Sequence, residues 1–390
     1  MRPTTTIRQL AAAAPPPRRP RVVFSGIQPT GVPHIGNHLG ALSKWQELVA
    51  EQRALAPDAP RDRLVFSVVG LHALTVPQDP RKLVQDRRDM FSVLLALGLH
   101  DPKLDLTVFH QDDVSEHAEL AWYLNCSTSV GRLLRMTSWK SKLATVRNAN
   151  SELEVDDSLL QLGLLAYPVL QTADILLYKA THVPVGNDQT QHLELCRDLA
   201  ESFNRQYPAR PPANATATPS KSKGKRKGVF TVPQVMLTDY PRIQSLRHPE
   251  SKMSKSSPDP GSVVFLTDAP EVVCKKLRAA VTDSVAGGPT FDPVGRPGVS
   301  NLLAIHAAYS GQPVAETVAR FAGRDRAVAA FKDEVADVVA EGLREFRTEF
   351  ARIRSDPGWV DEMERAGADR ARAIARETMQ QVRRAVGTAA

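Results

Sequence analysis

Over the first half of the chain, short apolar runs alternate with longer stretches in which apolar positions recur every three or four residues. Val22-Val23-Phe24 and Leu64 to Val69 are apolar at nearly every position and rich in β-branched and aromatic residues, the pattern of strands buried on both faces. Leu106 to Phe109 and His182 to Val185 repeat it. Between these runs, Leu39, Leu42, Trp45 and Leu48 share one face of a helix. A second helix is expected from Pro80 to Leu97, stopped by Gly98, and a third from Asp188 to Asn204. Such alternation predicts an α/β fold, a Rossmann-like parallel sheet wrapped by helices. Ligands in that architecture bind beyond the carboxyl ends of the strands, which is where Gly26, His72, His110 and Gly186 fall.

The pattern changes twice. From Pro208 to Gly228 it turns to Pro, Ala, Thr and Ser and then to Lys221, Lys223, Lys225, Arg226 and Lys227. That segment has too little apolar surface to offset the entropy of ordering, so it reads as a disordered basic insertion. After residue 268 the strand runs stop, and helical spacing takes over, for example Val335, Val338, Val339, Leu343 and Phe346. The divisions expected are therefore 1–21 as a leader, 22–207 as the Rossmann-like unit, 208–228 as the insertion, 229–268 as its completion and 269–390 as a helical C-terminal domain. Arg365, Arg372, Arg376, Arg383 and Arg384 make the last helix cationic, and the ordinary reading is a solvated face with pairs to acids one turn away.

Composition adds bounds. At 390 residues the chain holds a full α/β core and a smaller second domain. No apolar run reaches membrane-spanning length, so a soluble protein is expected. A net charge of +7 suits a partner rich in phosphate without establishing one. The widely spaced Cys126, Cys196 and Cys274 form no Cys-x-x-Cys pair, so neither a protein-held metal nor a disulfide framework is expected. Arg2, Arg8, Arg18, Arg19 and Arg21, with threonines, an Ala run and no acid before Glu47, fit a mitochondrial transit peptide removed before Val22.

Two distant segments carry the chemistry. Gly26-Ile27-Gln28-Pro29-Thr30-Gly31 leaves a strand and runs through His34-Ile35-Gly36-Asn37 into a helix. Backbone N–H groups and the positive end of the helix dipole converge at such a turn, so it suits a phosphate. Lys252-Met253-Ser254-Lys255-Ser256 offers two lysines on a loop, matched to a polyphosphate whose charge grows during reaction. The pair resembles the two signature motifs of class I aminoacyl-tRNA synthetases. With Thr75 to Pro80, Tyr167 to Leu170, Ala173 to Tyr178, Val183 to Gln189 and Ala280 to Ser284 in order, the chain resembles the tryptophanyl-tRNA synthetase family of bacterial and mitochondrial type.

That resemblance implies the roles. Asp174 would accept the indole N–H of tryptophan, with Phe24, His72, Tyr167 and Val185 lining the slot and Gln189 holding the amino-acid head group. Gln28, Pro29, Thr30, Gly36 and Asn37 would cover ATP, Gly186, Asn187 and Asp188 would take its ribose, and the backbone at Ile243 its adenine. Lys252 to Ser256, namely Lys252, Met253, Ser254, Lys255 and Ser256, would meet the phosphates, with Lys142 a third cation and Lys252, Lys255, Lys142 and Asn37 serving catalysis. Mg²⁺ with ATP, tRNA(Trp), a homodimer and an anticodon-binding role for the helical domain are further implications, in the mitochondrial matrix. Two departures stand out. Gly70 lies where the family has an acid two residues before His72, and Asn187 replaces another acid. Three other readings are a tyrosyl-tRNA synthetase, a small nucleotidyltransferase of the HxGH type, which leaves the helical C-terminal domain without a purpose, and an RNA-binding or splicing factor derived from a synthetase.

Overall fold

The computed structural model describes residues 19–136, 139–140, 160–186, 189–209, 228–237, 242–255, 257–285, 287–324 and 326–389. Five strands, β1 (Val22–Ile27), β2 (Arg63–Val68), β3 (Leu106–His110), β4 (His182–Val185) and β5 (Gln234–Leu237), form a parallel sheet in the order β3-β2-β1-β4-β5. Registers such as Val22 opposite Arg63 and His182 opposite Gln234 bring the carboxyl ends to one side. The strand order reverses between β1 and β4, and a doubly wound sheet opens a ligand crevice at that point. Four strands match the apolar runs. β5, with Gln234 in it, has no such signature.

The helices are α1 (Ile35–Asn37), α2 (Ser43–Ala54), α3 (Gly70–Ala73), α4 (Pro80–Ala96), α5 (Glu116–Asn125), α6 (Val130–Leu134), α7 (Leu162–Leu177) and α8 (Thr190–Gln206). Those of the C-terminal region are α9 (Pro270–Arg278), α10 (Pro297–Ser310), α11 (Val314–Phe321), α12 (Ala327–Gly342), α13 (Arg344–Arg354) and α14 (Pro357–Val386). α4 starts where the sequence says: Asp79 accepts from Arg81 N–H at 2.9 Å, and Pro80 needs no partner at the first position. Gly98, with φ 76°, takes the left-handed turn that ends it. The expected helix through Leu39 and Leu48 is present, but His38–Leu42 within it is a π-turn.

Side chains alternate across the sheet into two cores. Val23, Leu64, Phe66 and Val108 face α2, α4 and the C-terminal helices; Phe24, Val65, Phe109 and Val183 face α5, α7 and α8. Trp45 stacks on Phe66 at 4.4 Å on the first face, and each such full burial contributes about 1.5–3 kcal/mol. α14 returns to the β3 edge so closely that a Cβ on Gly367 would lie 1.9 Å from Val108 O. A covered edge strand is closed to further pairing.

Three expectations change here. The last-helix arginines are not simply a solvated face: Arg383 Nε donates to Glu119 of α5 at 2.7 Å, and Arg372 Nη2 donates to Asp113 O at 2.8 Å. α14 is tied to the sheet-bearing part through Glu119 and the Asp113 carbonyl, while Arg372 also pairs with Asp369 one turn away, at 2.7 Å. Arg21 is part of the folded body and not of a leader: its N–H and Nε both donate to the buried Asp62, at 2.7 and 2.8 Å. The third is His110, at the carboxyl end of β3, which points away from the crevice. It stacks on Phe91 of α4 and meets Glu364 of α14 at 3.0 Å, because alternation turns it to the face of Val108. Residues 1–18 and 210–227 lie outside the described residues.

Candidate active site

Tyr167, Gln171, Asp174 and Tyr178 follow one another along α7 and just past its end at spacings of four, three and four. That places them on a single helical face. The apolar residues between them, Val169, Ile175, Leu176 and Leu177, fill the second core and hold this face in place. Asp174 is buried, and three side chains converge on it. Gln111 Nε2 donates to Oδ1 at 2.7 Å, His117 Nδ1 meets Oδ1 at 2.6 Å and His72 Nε2 meets Oδ2 at 2.7 Å. Burial works to raise its pKa, yet the hydrogen bonds and charge of His117 and His72 hold it well below the usual carboxylate range.

The partners of Asp174 have their own supports. His117 Nε2 lies 2.9 Å from Tyr178 OH. Burial first, then the Asp174 charge, pushes the Tyr178 pKa well up, so the phenol keeps its proton and pairs with that nitrogen as a neutral hydroxyl. Phe24 stacks on Tyr178 with ring centroids 5.5 Å apart and planes within 7°. Gln111 also accepts the Leu71 N–H at 3.0 Å, which braces the turn after β3 against α3. Thr75 Oγ1 donates to His72 O, and Gln78 Nε2 to Ala73 O. The Thr75 to Pro80 motif thereby closes α3 and starts α4.

A second cluster adjoins this one. Tyr167 OH lies 2.9 Å from His192 Nε2, and His192 Nδ1 lies 3.0 Å from Gln189 Oε1. Tyr167 meets the edge of His72 at 6.3 Å between centroids, joining the clusters. Val185 ends β4, packed at the margin of the second core, and Gly186 accepts the Gln189 N–H at 3.1 Å.

On the other side of the crevice the two signature segments meet. Lys255 Nζ donates to Thr30 O at 2.8 Å, Thr30 Oγ1 at 3.1 Å and Gly31 O at 3.0 Å. Residues 225 positions apart are thus held at one turn. Met253, buried, donates its N–H to Ile243 O at 3.1 Å, and Gln244 bridges to Lys252, so the lysine loop is a short antiparallel clasp. Burial is the main cause that brings the Lys255 pKa down to about 8; Asp86 works against it and Lys82 with it. His34 caps α1: its Nδ1 accepts the Asn37 N–H, and Asn37 Oδ1 accepts the His34 N–H, both at 3.3 Å. Burial, then Lys255 and Lys252, lower the His34 pKa to about 4. A neutral imidazole that accepts at Nδ1 keeps its proton on Nε2. Gly36 lies against His34 and Ile243, where a Cβ would be 3.0 and 3.5 Å away. Further along, Asp283 of the Ala280 to Ser284 motif is gripped by the buried Arg296, Nη2 at 2.8 Å and Nε at 2.9 Å.

Lys142, Asn187, Asp188 and Ser256 lie outside the described residues. Gln111, His117 and His192 join the site without having been singled out from sequence, and His34 and Tyr178, quoted within motifs, gain a role. Tyr178 had a signal, its spacing of four from Asp174, and Gln111 follows the carboxyl end of β3. His117 and His192 had none. Asp174 is not an open carboxylate. Three protein donors already share its roughly four acceptor positions.

The comparisons agree with this geometry. The family described as tRNA synthetases class I (W and Y) matches residues 16–344. A mitochondrial tryptophan–tRNA ligase of Saccharomyces cerevisiae is 40% identical, covering 94% of this chain and 90% of its own. A Streptomyces coelicolor tryptophan–tRNA ligase is 41% identical over 94% of this chain and 96% of its own. The solved tryptophanyl-tRNA synthetase of Mycoplasma pneumoniae superposes with a TM-score of 0.70 at 32% identity, covering 94% and 97% of the two chains. A tyrosyl-tRNA synthetase of Aeropyrum pernix, at 19% identity and a TM-score of 0.53, shares the fold alone. The chain belongs to the class I aminoacyl-tRNA synthetases of the tryptophan and tyrosine family, and within it to the tryptophan–tRNA ligases, whose substrates are tryptophan, ATP and tRNA.

Proposed function

We propose that this ligase charges tRNA(Trp) for mitochondrial translation in the matrix, and that Asp174 reads the indole N–H while Lys252 and Lys255 handle the leaving pyrophosphate. The observation that carries the reading is the buried Asp174 carboxylate with Gln111, His117 and His72 around it. Three donors leave about one acceptor position. Its anionic state is fixed by those same donors, and a substrate lacking a matching N–H leaves a buried acceptor position unpaired. Phe24, His72, Tyr167 and Val185 line the indole slot, and Gln189 with Tyr167 takes the head group. The tryptophan carboxylate attacks the α-phosphate in line, forming the adenylate as pyrophosphate leaves. Mg²⁺ enters as part of the ATP substrate.

On the nucleotide side, Lys255 would exchange the oxygens of Thr30 and Gly31 for phosphate oxygens, with His34 Nε2–H as a neutral donor beside it. Gln28, Pro29, Thr30, Gly36 and Asn37 form the cover over ATP, Gly186, Asn187 and Asp188 take its ribose, Ile243 meets its adenine, and Met253, Ser254 and Ser256 complete the loop with Lys142 as a third cation. No protein nucleophile is needed, because positioning and charge stabilisation supply the catalysis. The region 269–390 would bind the anticodon, with two copies of the chain forming the working dimer. Mitochondrial names among the similar ligases and the arginine-rich, acid-free leader support the location, with processing that leaves Arg21 in place. Amino-acid-dependent ATP–pyrophosphate exchange, run with each of the twenty amino acids, tests the specificity. Exchange with tryptophan alone is expected; exchange with tyrosine overturns the assignment of the pocket.

A further inference from the structure

Gly70 opens α3, the short helix that carries His72, and a carboxylate sits on top of it. A Cβ built on Gly70 would stand 2.4 Å from Asp112 Oδ1 and 3.0 Å from Asp112 Cγ. The φ of Gly70 is not positive, so space and not backbone freedom requires glycine here. Asp112 belongs to the 3-10 turn Gln111–Asp113 that follows β3, and its Oδ2 pairs with Arg87 Nη2 of α4 at 2.7 Å. The neighbouring Gln111 holds α3 with one end of its amide and Asp174 with the other, accepting from Leu71 N–H at 3.0 Å and donating to Asp174 at 2.7 Å. Arg87, Asp112 and Gln111 therefore fasten one turn to three elements of the amino-acid site.

We propose that Asp112 is a positioning residue for tryptophan binding and that Gly70 and Asp112 form one coupled pair. The carboxylate that residue 70 lacks is supplied from the β3 turn. It occupies the space a side chain at 70 would fill, and Arg87 anchors it. Through the adjoining Gln111 it fixes the backbone of α3 and the orientation of Asp174. The inference rests on the proposed role of Asp174 as the indole reader.

Tryptophan-dependent pyrophosphate exchange on four full-length proteins tests it: the unaltered chain, Gly70→Asp, Asp112→Ser and the double variant. Gly70→Asp drives a second carboxylate into occupied space. Asp112→Ser leaves Arg87, among the described residues, with the carboxylate of Asp113, 3.5 Å away. Each single change is expected to lower kcat/KM for tryptophan about tenfold or more, chiefly through KM for tryptophan and with KM for ATP nearly unmoved. The double variant is expected to recover, since contacting pairs couple by roughly 3- to 100-fold. A double variant equal to the product of the singles overturns the pairing, as does an unaffected Gly70→Asp. Equal changes in both KM values would make the pair merely structural. Where Gly70→Asp does not fold, Gly70→Ala with and without Asp112→Ser poses the same question, because a methyl meets the same oxygen. Failure of the Asp174 reading shows separately, as intact tryptophan selectivity in Asp174→Asn, while the 70–112 coupling is still read in melting temperatures.

Discussion

Asp174 is held by three side chains buried with it, whereas Lys255 reaches from a loop to three oxygens of a turn that are partly exposed. Both are charged groups with three partners, but the dielectric around them differs. In the buried cluster each hydrogen bond is strong and each lost partner costly. Lys255 is half-buried, so solvent reaches part of its surroundings, and exchanging turn oxygens for phosphate oxygens costs less than breaking the buried cluster. In the proposed roles, a reader of tryptophan that rejects phenylalanine and tyrosine benefits from the first arrangement. A charge that must follow a departing pyrophosphate benefits from the second.

The largest expected effect breaks the buried half. Asp174→Asn keeps the size but replaces an acceptor oxygen with a donor among donors. Tryptophan activation is expected to fall on the order of 10³-fold in kcat/KM, with KM for ATP little changed, since bonds to charged groups contribute about 1.5–3 kcal/mol each. Asn is a sharper probe than Ala here: removing the whole carboxylate leaves three buried donors unpaired and destabilises the fold itself by about 3–5 kcal/mol. Near-normal selectivity in the folded Asn variant would remove Asp174 from its role.

Next comes the exposed half. Lys255→Ala is expected to lower kcat of exchange on the order of 10², the loss typical of one preorganised electrostatic stabiliser. Its pH dependence carries a sign. Burial brings the Lys255 pKa from 10.5 to about 8, so the amine is charged below that and neutral above it. A neutral amine brings no charge to the phosphates, so kcat/KM for ATP should fall as pH rises through about 8, while Lys255→Arg, charged throughout, should flatten that limb. A descending limb that survives in the arginine variant would assign the titration to another group.

The two halves also differed in how much the sequence revealed. The strands β1 to β4 and helix α4 followed from apolar runs, a proline start and a glycine stop, which are local signals. β5 did not, because Gln234 interrupts its pattern and its place is set by pairing to β4. The lysine loop and the glycine turn were visible as motifs, but not their meeting at Thr30, which joins positions far apart in the chain. Asp174 was reached through the family resemblance, yet its partners come from the turn after β3, from α5 and from α3, and nothing along the chain links His117 to it. His110 shows the opposite failure. Its position at a strand end pointed to the ligand, and alternation of the strand turned it the other way. Register decides such cases, and register is a property of the folded sheet.

Tyr178→Phe gives the smallest effect and separates the halves most cleanly. The ring and its stack on Phe24 survive, and only the hydroxyl paired with His117 Nε2 is removed. A net hydrogen bond contributes about 0.5–1.5 kcal/mol, so kcat/KM for tryptophan should fall by about 2- to 12-fold. His117 would then be free to tilt or to change tautomer, weakening one of the donors that fix the Asp174 carboxylate. The nucleotide side has no bond to this hydroxyl among the described residues, so KM for ATP and the limb near pH 8 should stay where they are. Steady-state exchange with each substrate varied in turn measures both. A matching change in KM for ATP would mean that the buried cluster and the lysine loop are mechanically coupled, and the division of labour between a fixed reader and an exchangeable charge would have to be given up.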